Sequence, residues 1–301
     1  MKIKTLLSIG ECMVELSPSN DNNFAMNFAG DSFNTAWYAR RLLPEFWKVS
    51  YLTAVGVDQL SDDLVKFIQD AGIETNDIAR IDGRTVGIYM IQLNKGERSF
   101  TYWRENSAAK LLASDLETLN EAMSSAGVIF FSGISIAILS KADRQNLYEA
   151  LASARKNGSL IVFDLNLRPG LWPDTETMCE EITKAASYAD ILLPSFDDEA
   201  QYFGDENPQA TLDRYAKLGA KLVVVKNGAG NVLAGGPQQD VVEFMPGVID
   251  HPVDTTAAGD AFNAGFLAAH LSGDNLESAL AAGAELSAKV ICQHGALVDF
   301  G

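Results

Sequence analysis

The sequence has few cysteines, few histidines and few basic residues, and each shortage excludes a class of protein. Its three cysteines lie far apart without a CxxC pair, which is typical of a reducing compartment and predicts no disulfide framework. Its three histidines show no metal-ligand spacing. Only 23 lysines and arginines stand against 40 acidic residues, for a net charge of −17. Nucleic acid and anionic membranes require a basic surface, so we expect neither as a partner.

Long apolar runs and targeting signals are also missing. No apolar stretch reaches the roughly 18 residues that would predict a membrane span. The N-terminus lacks the long hydrophobic region and small-residue cleavage site of a signal peptide, and its short apolar run predicts a first strand instead. We therefore expect a cytoplasmic protein. Hydrophobic residues make up 47% of the 301 residues, enough for one large domain or two small ones.

Several motifs that bind phosphate or perform catalysis are absent. No Gly-Lys pair occurs, which excludes a P-loop of the form GxxxxGK[ST]. No GxGxxG follows the first predicted strand, which weakens a dinucleotide-binding interpretation. GxSxG and HExxH are missing as well. The common nucleotide-binding, hydrolase and metalloprotease signatures therefore do not explain this chain.

Apolar, β-branched runs alternate with helical patterns along most of the sequence. This alternation predicts an α/β fold with a doubly wound, mostly parallel sheet flanked by helices. The predicted strands are Ile3–Ile9, Tyr51–Val55, Val128–Ser132, Leu160–Asp164, Ile191–Pro194 and Leu222–Lys226. The predicted helices are Asn34–Leu43, Ser61–Ala71, Lys141–Lys156, Thr177–Ala186, Pro208–Leu218, Asp260–Leu271 and Leu276–Gln293.

Two segments, near residues 12–29 and 85–103, break this alternation. The second reads VGIYMIQL, then the turn NKGE, then RSFTYW, and alternation around a glycine-containing turn predicts a hairpin. Helices that cover both faces of the main sheet leave no room for it there, so we place both segments in a small β lid over one edge. An ordinary surface hairpin is the alternative. An exposed lid edge needs covering, which favours a homodimer through the lid.

The stretch DTTAAGDAFNAGFLAAHL, Asp254–Leu271, places a lone carboxylate, Asp260, where an apolar helical pattern begins. One interpretation is a helix N-cap. The other is a carboxylate beside an anion-binding helix mouth, to which Ala257, Ala258 and Gly259 contribute backbone N–H groups. A second glycine-rich turn, KNGAGN at Lys226–Asn231, follows an apolar strand and could enclose the other side of a triphosphate.

Two motifs of the chain resemble those of the ribokinase-like (pfkB) carbohydrate kinases. DTTAAGDAFNAGF is similar to their C-terminal signature, and FAGDSFNTA at Phe28–Ala36 is similar to their glycine-rich substrate motif. The resemblance covers essentially the whole chain. It implies a single ribokinase-like domain over residues 1–301, with its lid, and an ATP-dependent kinase that phosphorylates an alcohol group of a carbohydrate.

Four shorter stretches, GECMVEL, YWRENSAAK, SGISIAILS and DLNLRPGLW, resemble the 2-keto-3-deoxygluconate kinase branch of that family. This resemblance implies transfer of the ATP γ-phosphate to the 6-hydroxyl of 2-dehydro-3-deoxy-D-gluconate. Because that substrate is a carboxylate, arginines suited to bidentate recognition should line its pocket. Arg104 follows the lid hairpin and Arg168 follows a core strand, and strand alternation puts Tyr102 and Arg104 on one face. We therefore expect an acidic sugar as the partner.

The resemblance also assigns roles residue by residue. Asp260 matches the catalytic base, and Ala257, Ala258 and Gly259 would donate N–H groups to the transferred phosphoryl group. The substrate-binding residues that it implies are Gly30, Asp31, Asn34, Tyr89, Tyr102, Arg104, Arg168 and Asp260. The ATP-binding residues that it implies are Asn166, Ser195, Lys226, Gly228, Gly230, Ala257 and Gly259. No side chain is assigned as a direct metal ligand; Mg²⁺ is expected mostly on phosphates and water, and a monovalent cation is left open.

Some positions depart from the family pattern. Ala257 stands where the family has glycine, and Ser195-Phe196-Asp197-Asp198 replaces an NxxE motif associated with Mg²⁺. An aspartate at a helix N-terminus should stay ionised, near its ordinary pKa of about 3.9.

A related kinase acting on a neutral sugar such as fructose or ribose is the alternative function, favoured if both arginines face solvent. A sugar-binding protein without catalysis is a further alternative, which the intact Asp260 disfavours.

Overall fold

A computed structural model describes residues 4–19, 23–94 and 97–299. Ile3 of the first predicted strand lies outside the described residues, as do residues 20–22 and 95–96 of the two lid segments and residues 300–301. The described part of the chain forms a large sheet between two layers of helices, together with a separate four-stranded sheet. None of the described helices is long and apolar enough to cross a membrane.

The helices and strands follow the predicted alternation over most of the chain. The described strands are β1 (Thr5–Ile9), β2 (Met13–Pro18), β3 (Phe24–Ala29), β4 (Lys48–Val55), β5 (Ile78–Arg80), β6 (Ile88–Asn94), β7 (Glu97–Trp103), β8 (Val128–Ser132), β9 (Leu160–Asp164), β10 (Ile191–Leu192), β11 (Leu222–Val225), β12 (Val232–Gly236) and β13 (Gln239–Phe244). The described α-helices are α1 (Asp31–Leu42), α2 (Gln59–Asp70), α3 (Leu116–Ser124), α4 (Gly133–Ala137), α5 (Lys141–Lys156), α6 (Thr175–Ala186), α7 (Phe196–Phe203), α8 (Pro208–Lys217), α9 (Ala258–Ser272) and α10 (Leu276–Ile291).

The large sheet has the strand order β13-β12-β11-β10-β9-β8-β1-β4-β5. Its strands are parallel from β11 to β5, whereas β12 and β13 extend one edge in antiparallel fashion. Alternate residues of each strand enter opposite cores: Leu6 packs with α1 and α9 on one face, and Leu7 packs with α5 and α6 on the other. The predicted doubly wound, mostly parallel sheet is confirmed.

The predicted elements are correct where the apolar pattern is strong, and several weaker elements were not predicted. The bounds of β8, β9 and α5 agree with the prediction. The helices α3, α4 and α7 and the strands β5, β12 and β13 are short, at three to nine residues each. The predicted helix starts at Asn34 and Asp260 are wrong, because α1 begins at Asp31 and α9 begins at Ala258.

The smaller sheet confirms the lid. Its order is β3-β2-β6-β7, in which two antiparallel hairpins join through a parallel pairing of β2 with β6. Strand register aligns Glu15 with Tyr89 and Tyr89 with Tyr102, so these three side chains share one face. On that face Tyr89 packs in a small cluster that includes Ala257 at the mouth of α9. The lid therefore covers the residues that carry the C-terminal signature.

Candidate active site

Asp260 lies in the first turn of α9 with its side chain almost fully buried. The N-cap of this helix is Ala257, which makes no side-chain capping hydrogen bond. The Asp260 carboxylate instead accepts a hydrogen bond from Nδ2 of Asn34, at 2.8 Å, on a different helix. The N-cap interpretation of Asp260 is therefore wrong, and its carboxylate is oriented by Asn34 of α1.

Burial raises the pKa of Asp260 to about 8, and the negative charge of Asp31 acts in the same direction. The hydrogen bond from Asn34 and the ammonium of Lys226 lower the pKa but do not offset burial. The expectation of an ordinary, ionised aspartate is wrong for this site. The favourable field of a helix N-terminus is worth at most about 2 kcal/mol, less than the loss of hydration in a closed site.

Asp31, the first residue of α1, lies in the same site. Its Oδ1 accepts the Ser32 N–H at 2.7 Å and its Oδ2 accepts Nδ2 of Asn166 at 2.7 Å. Burial raises the pKa of Asp31 as well. Asn166 has a positive φ of 32°, which few non-glycine residues adopt. This strained backbone brings the amide across from β9 to α1.

A buried three-residue network supports the opposite side of the site. Nζ of Lys226 donates to Oδ1 of Asp164 at 2.9 Å and to Oδ1 of Asn263 at 3.0 Å. Nδ2 of Asn263 then donates to Oδ2 of Asp164 at 2.8 Å, which closes the triangle. The network joins the ends of β9 and β11 to α9, so the Lys226 ammonium is fixed before any ligand binds.

The predicted ATP-binding residues gather around this network. Ser195 forms a parallel bridge with Lys226, which brings the start of α7 beside the KNGAGN turn. Within that turn Gly228 has a φ of +52°, a conformation that favours glycine. A β-carbon at Gly259 would lie 3.7 Å from Nζ of Lys226. The two small-residue loops therefore approach each other at Gly259 and Lys226.

The predicted lid residues differ in exposure. Tyr89 is buried and donates a hydrogen bond to Glu15, whereas Tyr102 is 51% exposed, with ring centroids 5.9 Å apart. The Arg104 side chain is 11% exposed, forms a salt bridge with Glu11 and lies 5.9 Å from the centre of the Tyr102 ring. The shared face predicted for Tyr102 and Arg104 is consistent with this cation–π distance.

Arg168 differs from Arg104 in being half-exposed. Its Nη1 donates to the Leu167 carbonyl at 2.6 Å and lies 4.0 Å from Oδ2 of Asp198. Its side chain is 52% exposed. Burial raises the pKa of Asp198, and the Arg168 charge partly offsets that shift. Arg104 is therefore paired with Glu11 beside the lid, whereas Arg168 lies beside Asp198 of α7.

Sequence reasoning missed two buried residues of the site, Glu11 and Asn263, and the pairing of Asp164 with Lys226. A signal was available for Asn263, because it is a polar residue in an otherwise apolar helical stretch three positions after Asp260. Asp164 stands at the end of a predicted strand, where a site residue is expected, but nothing in the sequence identifies Lys226 as its partner. Glu11 gave none, because a single glutamate after a strand is ordinary in sequence.

The site has limited capacity to bind a metal directly. Across residues 4–19, 23–94 and 97–299, no three acidic, histidine or cysteine side chains group closely enough to hold an ion. Both carboxylate oxygens of Asp164 are already bonded to Lys226 and Asn263. Asp198 is a carboxylate near this network to which no catalytic or sugar-binding role is assigned, and one carboxylate fits Mg²⁺ that keeps most of its ligands as water and phosphate.

Comparison with known proteins gives a consistent result over the whole chain. The model of the pfkB family carbohydrate kinases matches residues 4–299. A 2-dehydro-3-deoxygluconokinase of Haemophilus influenzae is 37% identical over 99% of this chain and 96% of its own, and that of Escherichia coli K12 is 35% identical over 98% and 97%. The crystal structure of a fructokinase with bound ATP from Xylella fastidiosa, 25% identical, superposes with a TM-score of 0.84 over 98% of this chain and 94% of its own.

Proposed function

We propose that this chain, which belongs to the pfkB family of carbohydrate kinases, is an ATP-dependent 2-dehydro-3-deoxygluconate kinase. It transfers the γ-phosphate of ATP to the 6-hydroxyl of 2-dehydro-3-deoxy-D-gluconate. The observation that carries the substrate assignment is the identity of 35–37%, over nearly the full length, to kinases named for that substrate. The buried, uncapped carboxylate of Asp260 supports the reaction type.

Asp260 is the proposed catalytic base. It accepts the proton of the substrate hydroxyl as that oxygen attacks the γ-phosphorus. Burial raises its pKa to about 8, so the deprotonated carboxylate is a stronger base than that of an ordinary aspartate, and the proton that it holds near neutral pH must leave before the hydroxyl is deprotonated. The hydrogen bond from Asn34 fixes the carboxylate toward the cleft. Backbone N–H groups of Ala257 and Gly259 stabilise the charge on the transferred phosphoryl group, whereas that of Ala258, also expected from the sequence, donates to the Thr255 carbonyl at 3.3 Å.

Lys226 is the proposed cation for the ATP phosphates. Its ammonium is oriented by Asp164 and Asn263, so little conformational entropy is lost when the phosphates bind. The other residues proposed to contact ATP are Asn166, Ser195, Gly228, Gly230, Ala257 and Gly259. Mg²⁺ would lie mainly on phosphate and water, near Asp198, and would supply further neutralisation of the triphosphate.

The sugar is proposed to bind between α1 and the lid. Gly30, Asp31 and Asn34 face its hydroxyls, since Asp31 supplies a buried carboxylate acceptor beside Asp260. The aromatic rings of Tyr89 and Tyr102 cover it. Arg104 and Arg168 bind its carboxylate, which explains how an acidic protein can accept an acidic substrate.

A kinase of a neutral sugar is the second candidate, and one observation favours it. Arg168 is half-exposed and Arg104 already pairs with Glu11, so neither guanidinium is an isolated charge that requires a substrate carboxylate. The same pfkB scaffold and the same Asp260 would serve that reaction. The two candidates differ only in what the lid and the residue-168 loop select.

We further propose a cytoplasmic homodimer that forms through the lid. Phe24, Met26 and Trp103 are each about half-exposed, at 48%, 54% and 54%, and strand register puts them on the face opposite Tyr89. They lie on the two edge strands, β3 and β7, and exposed apolar side chains on one face of a small sheet are typical of a protein interface. The cysteines Cys12, Cys179 and Cys292 are free, in keeping with a reducing compartment.

The test is Mg²⁺-dependent ADP release on a substrate panel. The panel contains 2-dehydro-3-deoxygluconate, its galactonate-derived epimer, gluconate, fructose, ribose and adenosine. We expect turnover confined to the keto-deoxy acids. Preferred turnover of fructose or ribose would replace the substrate assignment and retain the kinase, whereas no turnover of any compound would contradict the kinase itself.

A further inference from the structure

We propose that Glu11 is a positioning residue that orients the Arg104 guanidinium toward the substrate carboxylate. The inference rests on the proposed function, because it gives Arg104 the role of carboxylate reader. Glu11 follows β1 in the core, whereas Arg104 follows β7 in the lid. Their salt bridge therefore fixes a substrate residue of the lid to the scaffold below it.

Glu11 is held in one orientation by two donors, one on each carboxylate oxygen. Nη2 of Arg104 donates to Oε2, and Oγ of Ser107 donates to Oε1. The residue is only 2% exposed. A carboxylate so deeply buried is costly unless it is paired and hydrogen-bonded, so these two contacts are what keep it there.

The surrounding backbone is shaped to admit this side chain. A β-carbon at Gly87 would lie 2.7 Å from Oε1 of Glu11, and one at Gly30 would lie 2.1 Å from the Glu11 carbonyl oxygen. Only glycine fits at either position without displacement. Both glycines lie in connections between the core and the lid, as Ser107 does, so Glu11 occupies the point where these connections cross.

The pair leaves part of Arg104 available. Arginine carries five N–H donors, and the contact with Glu11 uses Nη2. Among the residues that the structure describes, no hydrogen-bond partner is found for Nε or Nη1 of Arg104. A second carboxylate can therefore bind the same guanidinium while Glu11 holds its other edge. The nearby ring of Tyr102, 5.9 Å from the guanidinium carbon, flanks the same group.

This arrangement predicts that Glu11 acts through Arg104 and not on the chemistry. The experiment compares wild type, Glu11→Gln, Arg104→Ala and the double variant in steady-state kinetics. Glutamine keeps the size of the side chain, but it removes the negative charge that pairs with Arg104 and places an NH₂ donor where one of the two acceptor oxygens stood. We expect Glu11→Gln to raise KM for 2-dehydro-3-deoxygluconate about 10-fold, with kcat within about twofold of wild type. We expect Arg104→Ala to raise KM by about 10- to 100-fold, and the double variant to be no worse than Arg104→Ala.

Two further variants separate positioning from general damage to the fold. Ser107→Ala removes one of the two donors and should raise KM a few-fold, which provides a milder test if Glu11→Gln folds poorly. Asp190→Asn is the matched control, because Asp190 is 1% exposed and pairs with Arg155 and Lys221 away from the lid. It should lower the melting temperature without changing KM for the acid.

Additive effects of Glu11→Gln and Arg104→Ala would overturn the proposal, as would an unchanged KM in Glu11→Gln. If wild type prefers a neutral sugar, the proposed substrate fails, and the cycle is then measured with that sugar. If the effects of Glu11→Gln and Arg104→Ala on KM for the accepted sugar are additive, the positioning role of Glu11 is overturned too. If they are not additive, Glu11 still positions Arg104, and only the substrate carboxylate is removed as the group that Arg104 binds.

Discussion

The phosphate side and the lid side of the cleft are built differently. On the phosphate side, Lys226, Asp164 and Asn263 form a closed, buried network that joins two strands to a helix. On the lid side, the Tyr102 ring is half-exposed while Arg104 is held by the buried Glu11, and Arg168, on the loop after β9, is also half-exposed. Groups with full sets of partners are fixed before a ligand binds, whereas exposed groups can rearrange around different ligands. The comparison indicates that the network around Lys226 is fixed for phosphoryl transfer, whereas the half-exposed side chains can adapt to different substrates.

The largest expected effect comes from Asp260→Asn, which removes the proposed base and keeps its shape. We expect kcat to fall by about 10²- to 10⁴-fold with substrate binding retained, as measured by steady-state kinetics and calorimetric titration. Near-normal turnover would contradict the base assignment and leave Asp260 without a catalytic role.

Asp260→Asn should also be more stable than wild type at alkaline pH, because wild type loses stability there. Because the folded-state pKa of Asp260 is about 8 and its unfolded value is about 3.9, the folded state binds the extra proton between these values. Stability contributed by that proton is lost as pH rises through this window. Asp260→Asn should therefore melt above wild type at pH 8, with a smaller difference near pH 4. An equal difference at both values would show that the raised pKa is not what limits stability.

Lys226→Met should have the next largest effect and tests the rigidity of the phosphate side. It leaves the Asp164 carboxylate buried with Asn263 as its remaining described partner, a loss of about 3–5 kcal/mol for a broken buried pair. We expect a fall in melting temperature of roughly 5–10 °C and a KM for ATP raised more than tenfold. Lys221→Met, which removes a 72% exposed lysine from Asp190, is the control and should cost far less. Equal losses would show that the network is not special.

Arg168→Ala tests the half-exposed loop after β9, in contrast to the network around Lys226. We expect KM for the keto-deoxy acid to rise about tenfold, and KM for an analogue without the carboxylate to change little. The melting temperature should hardly move, because the side chain is half-exposed. Equal changes for both compounds would remove the carboxylate role from this residue.

Ala257→Gly should have the smallest effect. Ala257 has a φ of 59° and a ψ of 13°, a left-handed conformation that costs a non-glycine residue about 1 kcal/mol. Glycine relieves that strain, and we expect a melting temperature up to about 3 °C higher with turnover within about twofold. Ala258→Gly, one residue further into the helix, is the matched control and should lower it. A lower melting temperature in Ala257→Gly would show that the strain is already offset.

Prediction from sequence was accurate for parts set by local pattern. The strands β8 and β9 are continuous apolar runs, and their bounds and those of helix α5 were predicted correctly. The two small-residue loops approach each other at Gly259 and Lys226, whereas the sequence suggested only that they could enclose opposite sides of a triphosphate. The edge strands β12 and β13 were not predicted because their polar and glycine-rich pattern is also typical of loops. The protonation of Asp260 was predicted wrongly, since burial cannot be read from neighbouring letters.

The sequence by itself determined the alternation of elements, the membership of the pfkB family and the position of Asp260 at a helix mouth, because periodicity and motif spacing are local properties of the chain. The tertiary structure alone decided which side chains are partners. Asn34 meets Asp260 across 226 positions, and Arg104 meets Glu11 across 93. It also decided how far each carboxylate is removed from water. Pairing and desolvation depend on distance in space, and together they set the pKa of the proposed base and the orientation of the proposed carboxylate reader.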